Sequence, residues 1–226
     1  MDNKNKGKIL VIGATGTVGS EVLKRLVSTP SDNSIRAAVH SRNRADEISR
    51  QYTNKGIEIV DLDYMQPETI TNALIDINRL FLQTLPVPDA INICSNIIRE
   101  AKKNGVKYIV KLSAMGADSK PGSTILRLHG EEEKIIKESG ISYTFLRPPA
   151  FMQNFITQFG QTIKTQNAFY APAGDAKMSF VDTRDIAAIA AAMLMNGNNG
   201  SNKQHMNKAY DITGQESLSY SQVAEI

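Results

Sequence analysis

The chain alternates short, unbroken apolar runs with longer stretches in which apolar residues recur every three or four positions. Apolar runs without polar alternation predict strands covered on both faces, and the three-to-four spacing predicts helices with one buried stripe. Residues 9–12 are the first such run, and Gly13-Ala14-Thr15-Gly16-Thr17-Val18-Gly19 follows it. Val18, Val22 and Leu26 continue at helical spacing up to a stop at Thr29-Pro30. Further strands are predicted over 35–40, 56–60, 79–82, 106–112, 143–146 and 210–213. The intervening helices are predicted over 45–52, 89–103, 123–139 and 184–194, with one more opened by Pro67 and carrying Ile70, Leu74 and Ile77. Asn104-Gly105 and Gly140 are fitting C-terminal stops, and Ser219 with Gln222 forms a capping box for a last helix. Strand–helix alternation over the whole length predicts the α/β class with a mainly parallel sheet and helices on both faces.

The glycine stretch sharpens this to a Rossmann-type, doubly wound fold. Strand, glycine turn and amphipathic helix, in that order, open a dinucleotide-binding unit. Gly13 permits the tight turn, Gly16 lets the backbone approach a pyrophosphate, and Gly19 lets the helix pack on the strand. Thr15, Thr17 and Val18 complete a turn whose free N–H groups point at phosphates. A purely structural β-turn-α is the competing reading of the same residues. NAD-binding units usually place an acid at the end of the second strand, about 20 residues beyond the glycines, to hold the ribose 2′-hydroxyl. Here that ground is Val39-His40-Ser41-Arg42-Asn43-Arg44, with no carboxylate and two arginines. The expectation is therefore NADP(H), with NAD(H) second: Arg42 or Arg44, helped by Ser41 and His40, would receive a 2′-phosphate. Solvated residues at the start of a surface helix are the alternative.

Composition narrows the class. At 226 residues, 41% hydrophobic and 22% charged, the chain reads as one ordinary globular unit with a substantial core. With no repeat or linker, residues 7–226 read as a single NAD(P)-binding domain and residues 1–6, with Lys4 and Lys6, as a flexible tail. Residues 151–180 and 214–226 read as parts of a small C-terminal substrate-binding region. A net charge of +3 gives no argument for nucleic acid. The longest apolar run, 186–195, is too short for a bilayer, so no membrane partner is expected. The single cysteine, Cys94, lies in an apolar helical stripe and reads as a core thiol; with no disulfide framework the expected location is cytoplasmic.

Several later stretches resemble the NmrA-like, atypical short-chain dehydrogenase/reductases, a group of NAD(P)H:quinone oxidoreductases and non-catalytic redox-sensing regulators. They are residues 11–19, 109–116 (IVKLSAMG), His129 with Glu133, 143–154 (YTFLRPPAFMQN) and 180–187 (FVDTRDIA). The resemblance implies that Asp63 touches the adenine side of the cofactor, although a cap or turn role is an even alternative. It implies that Gln83, Thr84 and Leu85 pass the cofactor ribose and that Pro148, with Pro149 and Ala150, lies beside the nicotinamide. Asp185, though regular in the group, stands in the first turn of a helix and reads as structural.

The chemistry is narrowed by an absence. No Tyr-x-x-x-Lys, the usual proton-donating pair of short-chain dehydrogenases, occurs in the sequence. The matching helix offers His129 and Glu133 instead, four residues apart on one face. His129 can donate a proton with Glu133 orienting it, or the two can form a helix-surface ion pair. Ser113 can hydrogen-bond a substrate carbonyl or cap the turn after its strand. Ketone reduction produces a strongly basic alkoxide and demands a good acid. Quinone reduction gives a delocalised anion, for which positioning largely suffices. The expected function is thus an NADPH-dependent oxidoreductase with a small-molecule electron acceptor, a quinone or similar carbonyl compound. A non-catalytic NADP(H) sensor is the second reading, and a homodimer or a regulatory protein partner is compatible with either. Because the sequence stops at Ile226 two turns into a helix, the substrate side is expected to be less complete than the dinucleotide site.

Overall fold

A computed structural model describes residues 7–40, 42–53, 55–117, 123–195 and 200–226. The chain runs β1 (Lys8–Ile12), α1 (Thr17–Ser28), β2 (Ser34–Val39), α2 (Arg42–Gln51), β3 (Ile57–Asp61) and α3 (Pro67–Leu74). It continues through β4 (Ile77–Leu82), α4 (Ala90–Lys103), β5 (Tyr108–Leu112), α5 (Thr124–Ser139) and β6 (Ser142–Arg147). Two short helices follow, α6 (Asn154–Thr157) and α7 (Gly160–Gln166), then β7 (Lys177–Met178) and α8 (Thr183–Met195). A 3-10 turn (Gly200–His205), β8 (Lys208–Asp211), β9 (Leu218–Ser219) and α9 (Tyr220–Ala224) complete it. The expected tail, residues 1–6, lies outside the described residues.

Seven strands form one sheet in the order β3-β2-β1-β4-β5-β6-β8, and every pair in it is parallel. Successive side chains of a strand face opposite sides, so each central strand feeds two cores. Ile9 and Val11 of β1 join Phe81, Val110 and the α1 and α8 residues Val22, Leu26, Ile186 and Ala190. Leu10 and Ile12 join Leu80, Leu82, Ile109 and the stripes of α3 and α4, Ile70, Leu74, Cys94, Ile97 and Ile98. This two-sided burial is why the strands read as continuous apolar runs. Cys94 is fully buried, and burial pushes its thiol up to about 12, with Glu132 adding to the shift and Lys111 opposing it. It is a core thiol.

The chain order reverses between β1 and β4, which leave the middle of the sheet in opposite directions and open a crevice beyond their carboxyl ends. The helix predicted over 45–52 begins three residues earlier, at Arg42, and the strand expected from 210 begins at Lys208. The pairing of β7 with β9, and α6 and α7, have no counterpart in the periodicity. They are too short to show a period, and the β7–β9 ladder joins residues about forty positions apart. The capping box is present: Ser219 Oγ accepts from Gln222 N–H while the Gln222 side chain accepts from Ser219 N–H.

Candidate active site

β1 ends at Ile12, and Gly13 turns the chain with φ +86°, a conformation costly for any residue with a Cβ. Gly16 N–H closes the turn on the Gly13 carbonyl at 2.9 Å, and α1 starts at Thr17 with no side-chain cap and no acid in its first turn. A side chain at Gly19 would collide with the Gly13 carbonyl, so that glycine sets the distance between helix and strand. Gln83, just past β4, crosses the crevice: its Oε1 accepts from Gly19 N–H at 3.1 Å.

The cleft beyond this loop has a volume of about 230 Å³ and is lined by Gly13, Thr15, Gly16, Val39, His40, Leu62, Tyr64, Gln83 and Leu85. Six of the residues singled out in the sequence therefore meet there: Gly13, Thr15, Gly16, His40, Gln83 and Leu85. Others do not line it. Val18 turns its side chain into the core and offers only backbone, as does buried Gly19. Arg44 is exposed on α2 and paired with Glu47 at 2.8 Å. Ser41 lies outside the described residues, and Arg42 opens α2. Of the two readings held even for Asp63, its contacts match the turn role. Its carboxylate accepts from Met65 N–H and from Gln66 Nε2, both at 2.9 Å, and so shapes the turn before α3. Its neighbours Leu62 and Tyr64 reach the cleft instead. Burial raises the Tyr64 hydroxyl to about 12, with the Glu132 charge adding to it.

A correction concerns His129 and Glu133. They do not pair. Glu133 is buried and held by other groups: Arg147 Nε donates to Oε1 at 2.8 Å, and Arg147 Nη2 to Oε2. The Ser113 hydroxyl donates to Oε1 at 2.6 Å, and Lys137 Nζ stands 3.6 Å from Oε2. The acid beside His129 is Glu132, whose Oε2 lies 3.3 Å from Nδ1. Glu132 is completely buried with Lys111, whose Nζ lies 3.0 Å from the same oxygen. Lys111 also donates to the Leu112 carbonyl at 2.6 Å and to Thr84 Oγ1 at 3.2 Å. Burial alone would raise the Glu132 carboxyl. The Lys111 charge, with contacts from His129, Thr84 and Lys111, outweighs it and holds the group down at about 2. The contacts are close but poorly directed: neither Glu132 oxygen nor His129 Nδ1 has a partner of good hydrogen-bond geometry among the described residues. Ser113, whose proton is engaged by Glu133, is correspondingly not free to donate to a substrate carbonyl.

Thr84 thus joins the buried Lys111–Glu132–His129 group to the strand end that lines the cleft. Pro148 ties the neighbouring loops together, its carbonyl accepting from Met115 N–H at 3.0 Å. Beyond it, Gln153 bridges to Asp182 at 3.0 Å and accepts from Thr183 N–H. Asp182, not Asp185, caps α8 through Arg184 N–H at 2.8 Å; contact with the Arg184 side chain holds its carboxyl far below the usual range. Phe155, Phe159, Phe169, Phe180 and Tyr220 then form one ring cluster with centroids 5.3 to 6.3 Å apart. Phe155, Phe169 and Tyr220 also line an open groove of about 770 Å³. No group of His, Cys, Asp and Glu able to hold a metal occurs among the described residues, and no described helix is long and apolar enough to cross a membrane.

Lys111, Glu132, Arg147 and Tyr64 were not singled out by sequence. A signal existed for two of them. A lone charge inside a strand buried on both faces, Lys111 in YIVKL or Arg147 in SYTFLR, demands a buried counter-charge.

The glycine loop, the acid-free second strand and the helix carrying His129 all lie in a segment, residues 5–226, that matches the NmrA-like family. The chain belongs to that family. Among NmrA-like relatives, an NAD(P)H azoreductase of Xenophilus azovorans is 35% identical over 216 residues, 96% of this chain and 71% of its own. Quinone oxidoreductase 2 of Escherichia coli (strain K12) is 30% identical over 217 residues, 96% of this chain and 72% of its own. The crystal structure of an NADPH-dependent quinone oxidoreductase from Escherichia coli complexed with NADPH superposes with a TM-score of 0.80 at 29% identity. That match covers 96% of this chain and 72% of the other. Citrobacter sp. triphenylmethane reductase complexed with NADP(H) gives a TM-score of 0.80 at 24% identity over 97% of this chain and 74% of its own, a likeness of fold.

Proposed function

We propose that this NmrA-like protein is an NADPH-dependent oxidoreductase whose acceptor is a quinone or a similar small carbonyl compound. The oxidoreductase class and the NADP(H) cofactor accord with the family and with relatives named as NAD(P)H reductases. The residues present fit that cofactor. The glycine cradle leaves no room for side chains, the first turn of α1 is free of acids, and no carboxylate ends β2. The N–H groups of Thr17 and Val18 receive the pyrophosphate. His40 and Arg44, with Ser41 and Arg42 as candidates from the sequence alone, would take the 2′-phosphate, Leu62 and Tyr64 would wall the adenine side, and Pro148 would flank the nicotinamide. When bound, NADPH supplies the hydride.

The acceptor is inferred from the shortage of acids. Tyr-x-x-x-Lys is absent, Tyr64 is raised to about 12, and the Ser113 proton is engaged by Glu133. His129, which stands beside Glu132 rather than Glu133, is the proton donor we assign among the described residues. Hydride transfer to a quinone leaves an anion with charge spread over the ring, and its protonation by His129 or by water completes the hydroquinone. The surroundings suit a flat apolar molecule: Leu85, Val87, Ile125, Met152, Ile156 and Tyr170 are exposed large apolar side chains, all on segments that follow carboxyl ends of strands. Residues 151–180 and 214–226, which carry the ring cluster, form the acceptor side of a single domain spanning 7–226. NADPH oxidation followed with a panel of quinones, with NADH and His129→Ala as comparisons, tests this. Turnover with NADPH exceeding NADH is expected, with kcat reduced by less than about 10²-fold in the variant, because water can supply the proton to a delocalised anion. NADPH binding without turnover across the panel would favour the sensor reading.

A further inference from the structure

Gln83 does more than pass the cofactor on its backbone. An added Cβ at Gly13 would lie 2.9 Å from Gln83 Cβ, and one at Gly16 would lie 3.1 Å from Gln83 Nε2. The side chain therefore rests on the first two glycines and ends on the third, through Oε1 and Gly19 N–H at 3.1 Å. All three glycines of the motif serve a contact inside the protein as well as the approach of a phosphate. The same hydrogen bond fixes the amide's orientation. An N–H can be received only by the amide oxygen, so Nε2 is the atom left beside Gly16. Nε2 donates to no described group, and Gln83 lines the cleft between the loop and Leu62–Tyr64.

We propose that Gln83 is a two-ended binding residue: its oxygen latches the glycine loop in the phosphate-receiving shape, and its N–H₂ donates directly to the dinucleotide's pyrophosphate or adjoining ribose. This rests on the NADP(H) reading and adds a side-chain ligand to it. The latch holds the loop rigid before binding, so less order is lost when the dinucleotide arrives. The donor meets an anion at short range, the stronger kind of hydrogen bond.

Two near-isosteric variants separate the ends. Gln83→Glu keeps an acceptor for Gly19 N–H but replaces the donor with a negative charge. Gln83→Leu keeps the bulk against Gly13 and removes both polar ends. NADPH affinity is read by fluorescence titration at low and high salt, and protection of the Gly19 amide by NMR-detected hydrogen exchange without cofactor. For the leucine variant we expect about a 10-fold to 100-fold loss of NADPH affinity and loss of Gly19 protection. For the glutamate variant we expect retained protection and an affinity loss at least as large, shrinking as salt screens the repulsion. Wild-type affinity in both variants overturns the ligand role, and Gly19 exchange equal in wild type and Gln83→Leu overturns the latch. If wild type itself fails to bind NADPH, the cofactor reading has failed, and the exchange measurement still decides the latch.

Discussion

Both ends of the parallel sheet bury charge, but they use it differently. At the amino end, two arginines plug the C-termini of helices. Arg36 of β2 donates to the Ala73 and Ile75 carbonyls, each at 2.8 Å, where α3 ends, and its Nη2 pairs with Glu58 at 2.7 Å on the neighbouring strand. Arg79 of β4 donates to the Leu194 and Met195 carbonyls at the end of α8 and to Asn33. Each satisfies carbonyls that a helix end leaves open and complements its dipole. At the carboxyl end, charges meet charges. Glu133 is gripped by Arg147, Glu132 stands against Lys111 and His129 without well-directed hydrogen bonds, and Gln83 lines an open cleft. Leu85, Met152 and Ile156 are exposed on segments that follow carboxyl ends of strands, while Ile75 is exposed at the amino end. One end aims its guanidinium Nη groups at helix carbonyls, although Arg36 Nε and Arg79 Nε have no hydrogen-bond partner among the described residues. The other keeps donors and apolar surface available, as a binding face requires.

Four measurements can break or sharpen that contrast. The largest effect is expected from Arg147→Met, which strands Glu133 in the interior. Removing one partner of a buried pair costs about 3–5 kcal/mol, read as a lower urea midpoint. Glu132→Gln should cost on the order of 3 kcal/mol near neutrality, with a pH signature. The carboxyl falls from its ordinary 4.5 to about 2 in the fold, so its contribution is present in full above the unfolded value. It is lost as pH falls through the folded one. The stability gap between wild type and variant should therefore close between about pH 5 and pH 2; a gap constant over that range would mean that Glu132 is not held as a carboxylate.

At the amino end, Arg79→Met should cost about 1–3 kcal/mol through the two freed carbonyls yet leave NADPH affinity unchanged. A fall in affinity would show that the two ends are not independent. The smallest effect is expected at the exposed Arg44. Its replacement by Ala should weaken NADPH about two- to fivefold and leave NADH unaffected, since its pairing with Glu47 is open to solvent. Equal losses for both dinucleotides would remove Arg44 from the 2′-phosphate side.

What could be read from the sequence had its reason close at hand in the chain. The loop from Gly13 to Gly19 is a strand, a turn and a helix start within a dozen residues, and each glycine has a local steric reason. The inner strands β2, β1, β4, β5 and β6 were readable because burial on both faces leaves little polar alternation, whereas the edge strands β3 and β8 are largely open to solvent. Gln83 was recognised for its place at the end of β4. Its grip on Gly19, 64 positions away, was not.

His129 shows where that reach ends. On a helix of 3.6 residues per turn, i+3 and i+4 both share a face with residue i. The sequence reading paired His129 with Glu133 at i+4, although Glu132 at i+3 shares that face almost equally. The choice was made by the sheet beneath α5. Arg147 at the end of β6 takes Glu133, and Lys111 in β5 takes Glu132, turning that carboxylate toward the imidazole. The helix, the glycine loop and the absence of an acid after β2 were set by local spacing and residue type. Which carboxylate serves the histidine depended on two cations on neighbouring strands, and only packing of helix on sheet brings those within a few ångströms.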